Sequence, residues 1–219
     1  MTAVTIDDQK IIDEYLQHHE VKKLHIGCGP HYLEGWLNTD IERQVPQVIF
    51  LDATDTYPFQ SHQFDYIFSE HMIEHVTYTG GSKMLQECFR ILKPGGKLRL
   101  STPDIRFLIA LYQDNLSPVQ QNFIKNSFDQ WIADSPDYQD APKYEKALVI
   151  NNYMRAWGHQ CIYDERVLRY LLEKTGFVQI DRCNVCESRD SNLQNLENIE
   201  RQPPGLIALE SLVLECVKP

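Results

Sequence analysis

The heptapeptide Leu24-His25-Ile26-Gly27-Cys28-Gly29-Pro30 sets the architecture of this 219-residue chain. Residues 21–26 read as a short apolar strand that runs straight into a Gly-x-Gly turn. Such a turn lets backbone approach a ligand to contact distance, because glycine carries no Cβ and accepts a left-handed conformation. Working outward, residues 36–40, 48–51, 64–69 and 97–101 read as further short apolar strands, the pattern of a sheet covered on both faces. Ile11/Tyr15 and Ile12/Leu16 pair at helical spacing over residues 6–19, with Thr5 as N-cap. A second helix is expected over residues 82–92, stopped by Pro94-Gly95-Gly96, and a third over residues 164–175, stopped by Gly176. This alternation of strand and helix predicts an α/β, doubly wound, mostly parallel sheet.

Between residues 104 and 159 the pattern changes. Three helical stretches, 105–116, 119–131 and 144–157, are interrupted by a polar, proline-containing loop over residues 134–142. That length exceeds a simple crossover, and predicts a helical lobe of about residues 104–159 inserted after strand 5. It should lie beside the carboxyl edge of the sheet within a single domain spanning 1–219. Phe107, Phe123, Phe128 and Trp131 read as its core. Residues 177–185 are expected as strand 6, residues 187–204 as a polar loop, and residues 206–217 as one final long strand.

Lys and Arg number 21 against 31 Asp and Glu, a formal net charge of −10, and 42% of the residues are hydrophobic. The composition suits one full-sized core. An acidic chain gains nothing from releasing phosphate counterions, so the balance disfavours a nucleic-acid partner. No apolar run reaches membrane-spanning length, and residues 1–10 lack a basic-then-apolar leader pattern; the cytoplasm is the expected location. The six cysteines are scattered and read as reduced packing residues. Cys183-x-x-Cys186 lacks the second pair of a structural zinc site, with only His159, Cys161 and Cys216 able to complete it, so no metal is expected.

The chemistry concentrates at strand ends. Gly27-Cys28-Gly29 is followed by Gly35-Trp36-Leu37-Asn38-Thr39-Asp40, then Asp52-Ala53, then Phe64-Asp65-Tyr66-Ile67-Phe68-Ser69-Glu70-His71, then Leu92-Lys93-Pro94-Gly95-Gly96. This order resembles the type 11 group of class I S-adenosylmethionine (SAM) dependent methyltransferases, especially small bacterial enzymes with Gly-Cys-Gly followed by Gly-Trp-x-Asn-x-Asp. The likeness covers residues 24–104 and resumes over residues 158–177. It implies a Rossmann-like sheet of seven strands with the last antiparallel, SAM as cofactor, and S-adenosylhomocysteine (SAH) as product.

On that resemblance Gly27, Cys28 and Gly29 line the methionine part of SAM. Asp40 grips the ribose diol, since a carboxylate takes two O–H donors at once. Asp52 and Ala53 lie by the adenine edge, and Ser69 and Glu70 complete the cofactor side. His71 follows strand 4, where the reactive methyl group lies, and is the first candidate for general base, with His159 the second. Glu74 and His75 are read as capping or bonding neighbouring loops. His159 either faces substrate or holds the lobe on the sheet.

Two departures stand out. His25 replaces the acidic residue usual before the first glycine. The interval from Gly29 to Asp40 is also too short for a helix with its return turn, so the first crossover is expected as a loop. Without a helix N-terminus there to receive a phosphate, NAD and nucleotide sugars are disfavoured. The expected activity is methyl transfer to a small-molecule or sugar and glycan-precursor acceptor. The alternative is a non-catalytic SAM-binding or sensing module of the same fold.

Overall fold

The computed structural model describes residues 5–43 and 45–219. Seven strands form one sheet: β1 (Lys23–Ile26), β2 (Leu37–Asp40), β3 (Ile49–Phe50), β4 (Phe64–Glu70), β5 (Leu92–Pro103), β6 (Val178–Cys183) and β7 (Ser211–Val217). Their order is β3-β2-β1-β4-β5-β7-β6. β7 runs antiparallel to both neighbours, whereas the pairings among β1 to β5 are parallel. Ile26 sits opposite both Thr39 and Ser69, so the carboxyl ends of β1, β2 and β4 finish level.

Helices α1 (Ile6–His18), α2 (Tyr78–Ile91) and α6 (Glu165–Thr175) pack on one face of the sheet. Alternate strand residues, Leu24, Ile26, Leu98, Leu100, Leu212 and Leu214, meet them in one buried cluster. Thr5 and Asp8 close a capping box at the start of α1, which satisfies two otherwise orphaned backbone donors. The Tyr15 hydroxyl pins α1 to β1, accepting from Lys23 N at 2.8 Å. α2 starts four residues before the expected Ser82, because the Thr77 hydroxyl caps the Gly80 amide at 3.0 Å and the two glycines join the first turn. Residues 27–36 carry no helix, so the first crossover is a loop.

The opposite face is closed in a different way. Trp36 and Phe68 pack there with Leu193 and Leu196 from the stretch following β6. Arg99, fully buried in the middle of β5, donates to Glu197 at 2.7 and 3.0 Å. It also reaches Glu215 and the carbonyls of Asn184 and Glu187. The polar segment around residues 184–201 is therefore a cover anchored by a buried guanidinium.

The remaining helices, α3 (Ile105–Leu111), α4 (Pro118–Trp131), α5 (Lys146–Arg155) and α7 (Leu206–Glu210), share a second apolar cluster. Phe107, Phe123, Phe128 and Tyr153 are buried in it. α7 corrects the expectation of one strand over residues 206–217. Leu206 and Leu209 are drawn into the second cluster, and Glu210 is held by Tyr153 at 2.9 Å. The chain enters the sheet only at Ser211.

His25 faces the second side of the sheet, 1% exposed, with Nδ1 3.1 Å from Asn38 Oδ1 and its ring against Phe68. Burial pushes its pKa down to about 4 from 6.5. The folded state thus holds a neutral imidazole that the unfolded chain protonates below pH 6.5. Stability is fully present above pH 6.5 and falls as pH drops toward 4, by about 3 kcal/mol. Urea midpoints at a series of pH values should show this loss in the wild type. His25→Leu should flatten it, and a parallel pH dependence in the two proteins would show that His25 contributes none of it.

Candidate active site

The glycine turn hangs from β2. Gly27 N and Cys28 N both donate to the Thr39 carbonyl, at 2.9 and 3.0 Å. Gly27 and Gly29 adopt φ of 69° and 48°, the left-handed region that side chains resist. A Cβ on Gly27 would stand 2.2 Å from Met72 Cγ, whereas a Cβ on Gly29 would meet nothing within 4 Å. One side of the turn is therefore closed by Met72 and the other is open. Gly29 N donates to Asp40 Oδ2 at 2.8 Å and Glu42 N to Oδ1 at 2.9 Å. Each carboxylate oxygen is oriented by one N–H and keeps a second lone pair for a ligand.

Nearby, Asp52 Oδ1 accepts from the Thr54 amide and hydroxyl, both at 2.8 Å. Ala53 is buried and its carbonyl accepts from Tyr57 at 3.1 Å. Cys28 is buried, and burial together with the Asp40 charge pushes its thiol up to about 12. Ser69 is fully buried and its hydroxyl has no hydrogen-bond partner among the described residues. Glu70 faces another way: its oxygens accept from Asn198 N at 3.2 and 3.1 Å and lie near His31 and Arg201. Burial opposes its ionisation, but His31, Arg201 and the Asn198 amide outweigh it and hold its carboxyl below the usual range. His25 is turned into the sheet and takes no part. An open left-handed turn, an oriented carboxylate at the end of β2 and an orphaned buried hydroxyl fit an adenosyl group with its vicinal diol.

The segment that leaves β4 joins this edge to a cavity of about 320 Å³. Met72 covers Gly27, while its neighbour His71 lines the cavity. His71 has φ of 46° and its amide donates to Ser101 O at 2.8 Å. A single 3₁₀ turn, Ile73–His75, follows. His71 Nε2 lies 3.1 Å from Ser211 Oγ and Nδ1 3.3 Å from Glu74 Oε1. Burial holds its pKa well below 6.5, as do Arg201, His159 and His75. Glu74 is fully buried, accepts from Thr102 Oγ1 at 3.0 Å, and is pushed up to about 8 by burial.

The far wall comes from the helical segment. Tyr153, Trp157 and His159 line the cavity together with Trp131. Trp157 stacks edge-on against Trp131 at 5.2 Å and Tyr153 at 5.7 Å. His159 Nδ1 lies 2.6 Å from the Tyr153 carbonyl, so it is the donor there and Nε2 keeps its lone pair. Burial and the neighbouring His75 keep the His159 pKa below 6.5. The third side is Glu210 with Arg201, 3.4 Å apart, and burial pushes Glu210 up to about 7.

The structure thus brings His71 and His159 into one cavity and gathers Gly27, Cys28, Gly29 and Asp40 at one adjoining turn. Sequence reasoning missed Tyr153, Arg201 and Glu210 as parts of this wall. Glu210, polar at the end of the apolar run Leu206–Leu209, is the one with a sequence signal; Arg201 lies in the polar stretch 187–204.

Residues 24–100 match the family described as a methyltransferase domain, type 11. No curated protein matches the sequence. Among solved structures, a SAM-dependent methyltransferase from Archaeoglobus fulgidus is 17% identical, with 97% of this chain and 93% of that one covered and a TM-score of 0.55. A SAM-dependent methyltransferase from Thermotoga maritima, described as a possible histamine N-methyltransferase, is 17% identical with 94% and 88% covered and a TM-score of 0.50. Both likenesses are of the fold. Seven strands in this order, with β7 reversed and a glycine turn after β1, make the Rossmann-like fold of class I methyltransferases. Over residues 24–100 the chain matches a methyltransferase domain, and its whole fold is that of SAM-dependent methyltransferases.

Proposed function

We propose that the protein transfers the SAM methyl group to a small-molecule or sugar and glycan-precursor acceptor bound in the cavity beside His71 and His159. The observation that carries this reading is the Ser69–His75 segment, which closes the glycine turn with Met72 and lines the cavity with His71. Gly27, Cys28 and Gly29 run along the methionine part, Asp40 takes the ribose diol, and Asp52 with Ala53 edges the adenine. Ser69 offers its unpartnered hydroxyl to the same ligand, and Glu70 acts from behind by fixing the Asn198 amide.

Bound SAM supplies an electrophilic methyl on a good leaving group. The chain's task is to hold the acceptor in line and remove its proton. For a hydroxyl acceptor the O–H bond breaks, its proton passes to an imidazole, and the oxygen forms the new bond to carbon as the carbon–sulfur bond breaks. His71 and His159 are the imidazoles we assign to this step, both kept unprotonated at neutral pH by burial. The cavity's size and the chain's negative charge favour a small acceptor over nucleic acid. Among the described residues no helix is long and apolar enough to cross a membrane, and we place the reaction in the cytoplasm. We read the four helices of the second cluster as a lobe of one domain that covers the acceptor.

The deciding experiment is calorimetry with SAM, SAH, NAD and nucleotide sugars, followed by a screen of bacterial sugar and metabolite extracts with labelled SAM. SAH binding without NAD binding is expected, and saturable NAD binding alone would overturn the reading. Asp40→Ala should weaken SAM by about 1.5–3 kcal/mol, roughly 10- to 150-fold, through lost charge-assisted hydrogen bonds. An unchanged dissociation constant would remove Asp40 from the ribose site.

A further inference from the structure

We propose that Glu74, His75 and His159 form a divalent transition-metal site in the wall of the acceptor cavity. The proposal rests on the reading of that cavity as the acceptor's site and assigns it a ligand. One donor atom from each of the three side chains lies within 4.8 Å of the other two. All three residues line the cavity. A cation seated on them therefore keeps coordination positions open on the side where the acceptor enters.

Two features separate this cluster from a chance meeting of polar side chains. The first is an under-satisfied group: Glu74 is fully buried, and its Oε1 makes no hydrogen bond among the described residues, with only His71 Nδ1 near it at 3.3 Å. A buried carboxylate oxygen without a partner costs stability, and a cation would satisfy it. The second is that the ligands are already oriented from behind. Thr102 Oγ1 donates to Glu74 Oε2 at 3.0 Å, and the Tyr153 carbonyl holds His159 Nδ1 at 2.6 Å, leaving Nε2 as the donor atom; with a metal there, proton removal falls to His71. Outer contacts of this kind fix the tautomer and aim of metal-binding imidazoles.

The backbone fixes the spacing as well. Glu74 O accepts from Gln160 N at 2.7 Å and Cys161 N at 3.1 Å, and the Gln160 side chain donates to His75 O at 2.8 Å. These bonds clamp the turn bearing Glu74 and His75 to the stretch bearing His159, so no ligand needs to travel far. Two imidazoles and one carboxylate suit zinc, cobalt or manganese better than magnesium or calcium, which favour all-oxygen sets. Metal ions at such sites polarise a bound oxygen, so the site points to an acceptor that presents a hydroxyl or carbonyl oxygen.

The test uses the full chain, stripped with chelator and titrated with cobalt(II), followed by visible absorption and by calorimetry. One equivalent per chain with the bands of a low-coordinate cobalt centre is expected. His75→Ala and His159→Ala should each weaken binding at least about 100-fold, and Thr102→Val about 10- to 100-fold through the Glu74 carboxylate. His62→Ala, remote from the cavity, should leave it unchanged. Thermal melts of each variant show that it is folded, and Glu74→Gln, which preserves the side-chain shape, repeats the test without a cavity. Binding that persists in both histidine variants places the metal elsewhere, at Cys183 and Cys186 for instance, and overturns the proposal. So does the absence of stoichiometric binding. SAH affinity measured on the same samples separates the two readings: SAH bound without metal removes this site alone, whereas loss of SAH binding in the wild type removes the methyltransferase reading beneath it.

Discussion

His159→Ala is expected to bind SAM within about threefold of wild type, under roughly 0.7 kcal/mol, while methyl transfer falls about 10²–10⁴-fold. The separation follows from geometry. His159 belongs to the helical wall of the cavity, whereas the ribose and methionine contacts we propose come from β1, β2 and their turn. Its Nδ1 is committed to the Tyr153 carbonyl, so Nε2 is the atom free to serve as base or as metal ligand, and alanine deletes it without touching Asp40 or Gly29. His71→Asn should behave alike in kind. Asparagine tolerates the left-handed φ of 46° at this position, keeps a polar contact toward Ser211, and loses the titratable ring. Labelled-methyl transfer to an acceptor found by the extract screen, with calorimetric SAH binding on the same preparations, checks both. Full turnover by both variants would leave positioning alone as the chemistry. A matching loss of SAM affinity would mean that the imidazoles support the cofactor and not the acceptor.

The glycine turn, Asp40 and the strand after it were legible because each rests on local chemistry. A strand followed by Gly-x-Gly demands a left-handed turn, and the ten residues between Gly29 and Asp40 exclude a crossover helix whatever the tertiary context. Residues 206–217 were misread because a short apolar run has no decisive period. Leu206 and Leu209 belong to the second core, and only Glu210, awkward inside a buried strand, hints at the break. Glu74 and His159 are far apart in sequence and meet only through the Gln160 and Cys161 amides, a contact that no spacing rule encodes. Arg99 is the clearest case. In Lys97-Leu98-Arg99-Leu100-Ser101 the alternation puts Arg99 opposite the apolar face, which in isolation reads as solvent-facing. The segment over it is polar, so nothing in its composition announces a lid.

Arg99→Met is expected to destabilise the protein by about 3–5 kcal/mol, the cost of leaving a buried charge without its partner. The guanidinium is fully buried and joins Glu197, itself fully buried, to Glu215 and to two carbonyls of the covering segment. Methionine fills much of the volume but satisfies none of these groups, so Glu197 must take up a proton or drag the segment into water. The same segment supplies the Asn198 amide to Glu70 and Arg201 to the cavity wall. Loosening it should therefore raise the acceptor KM while SAM affinity, which the proposed contacts assign to β1 and β2, changes little. Urea denaturation should report the loss as a lower midpoint with an unchanged slope. Pairing the change with Glu197→Leu should recover much of it, because an apolar pair of similar volume no longer buries an unmatched charge. A single-variant cost under about 1 kcal/mol would mean that water already reaches Glu197 and that the cover opens on its own. In that case the wall of the acceptor cavity carrying Arg201 would be a moving part, and not the fixed surface that Arg99 otherwise makes of it.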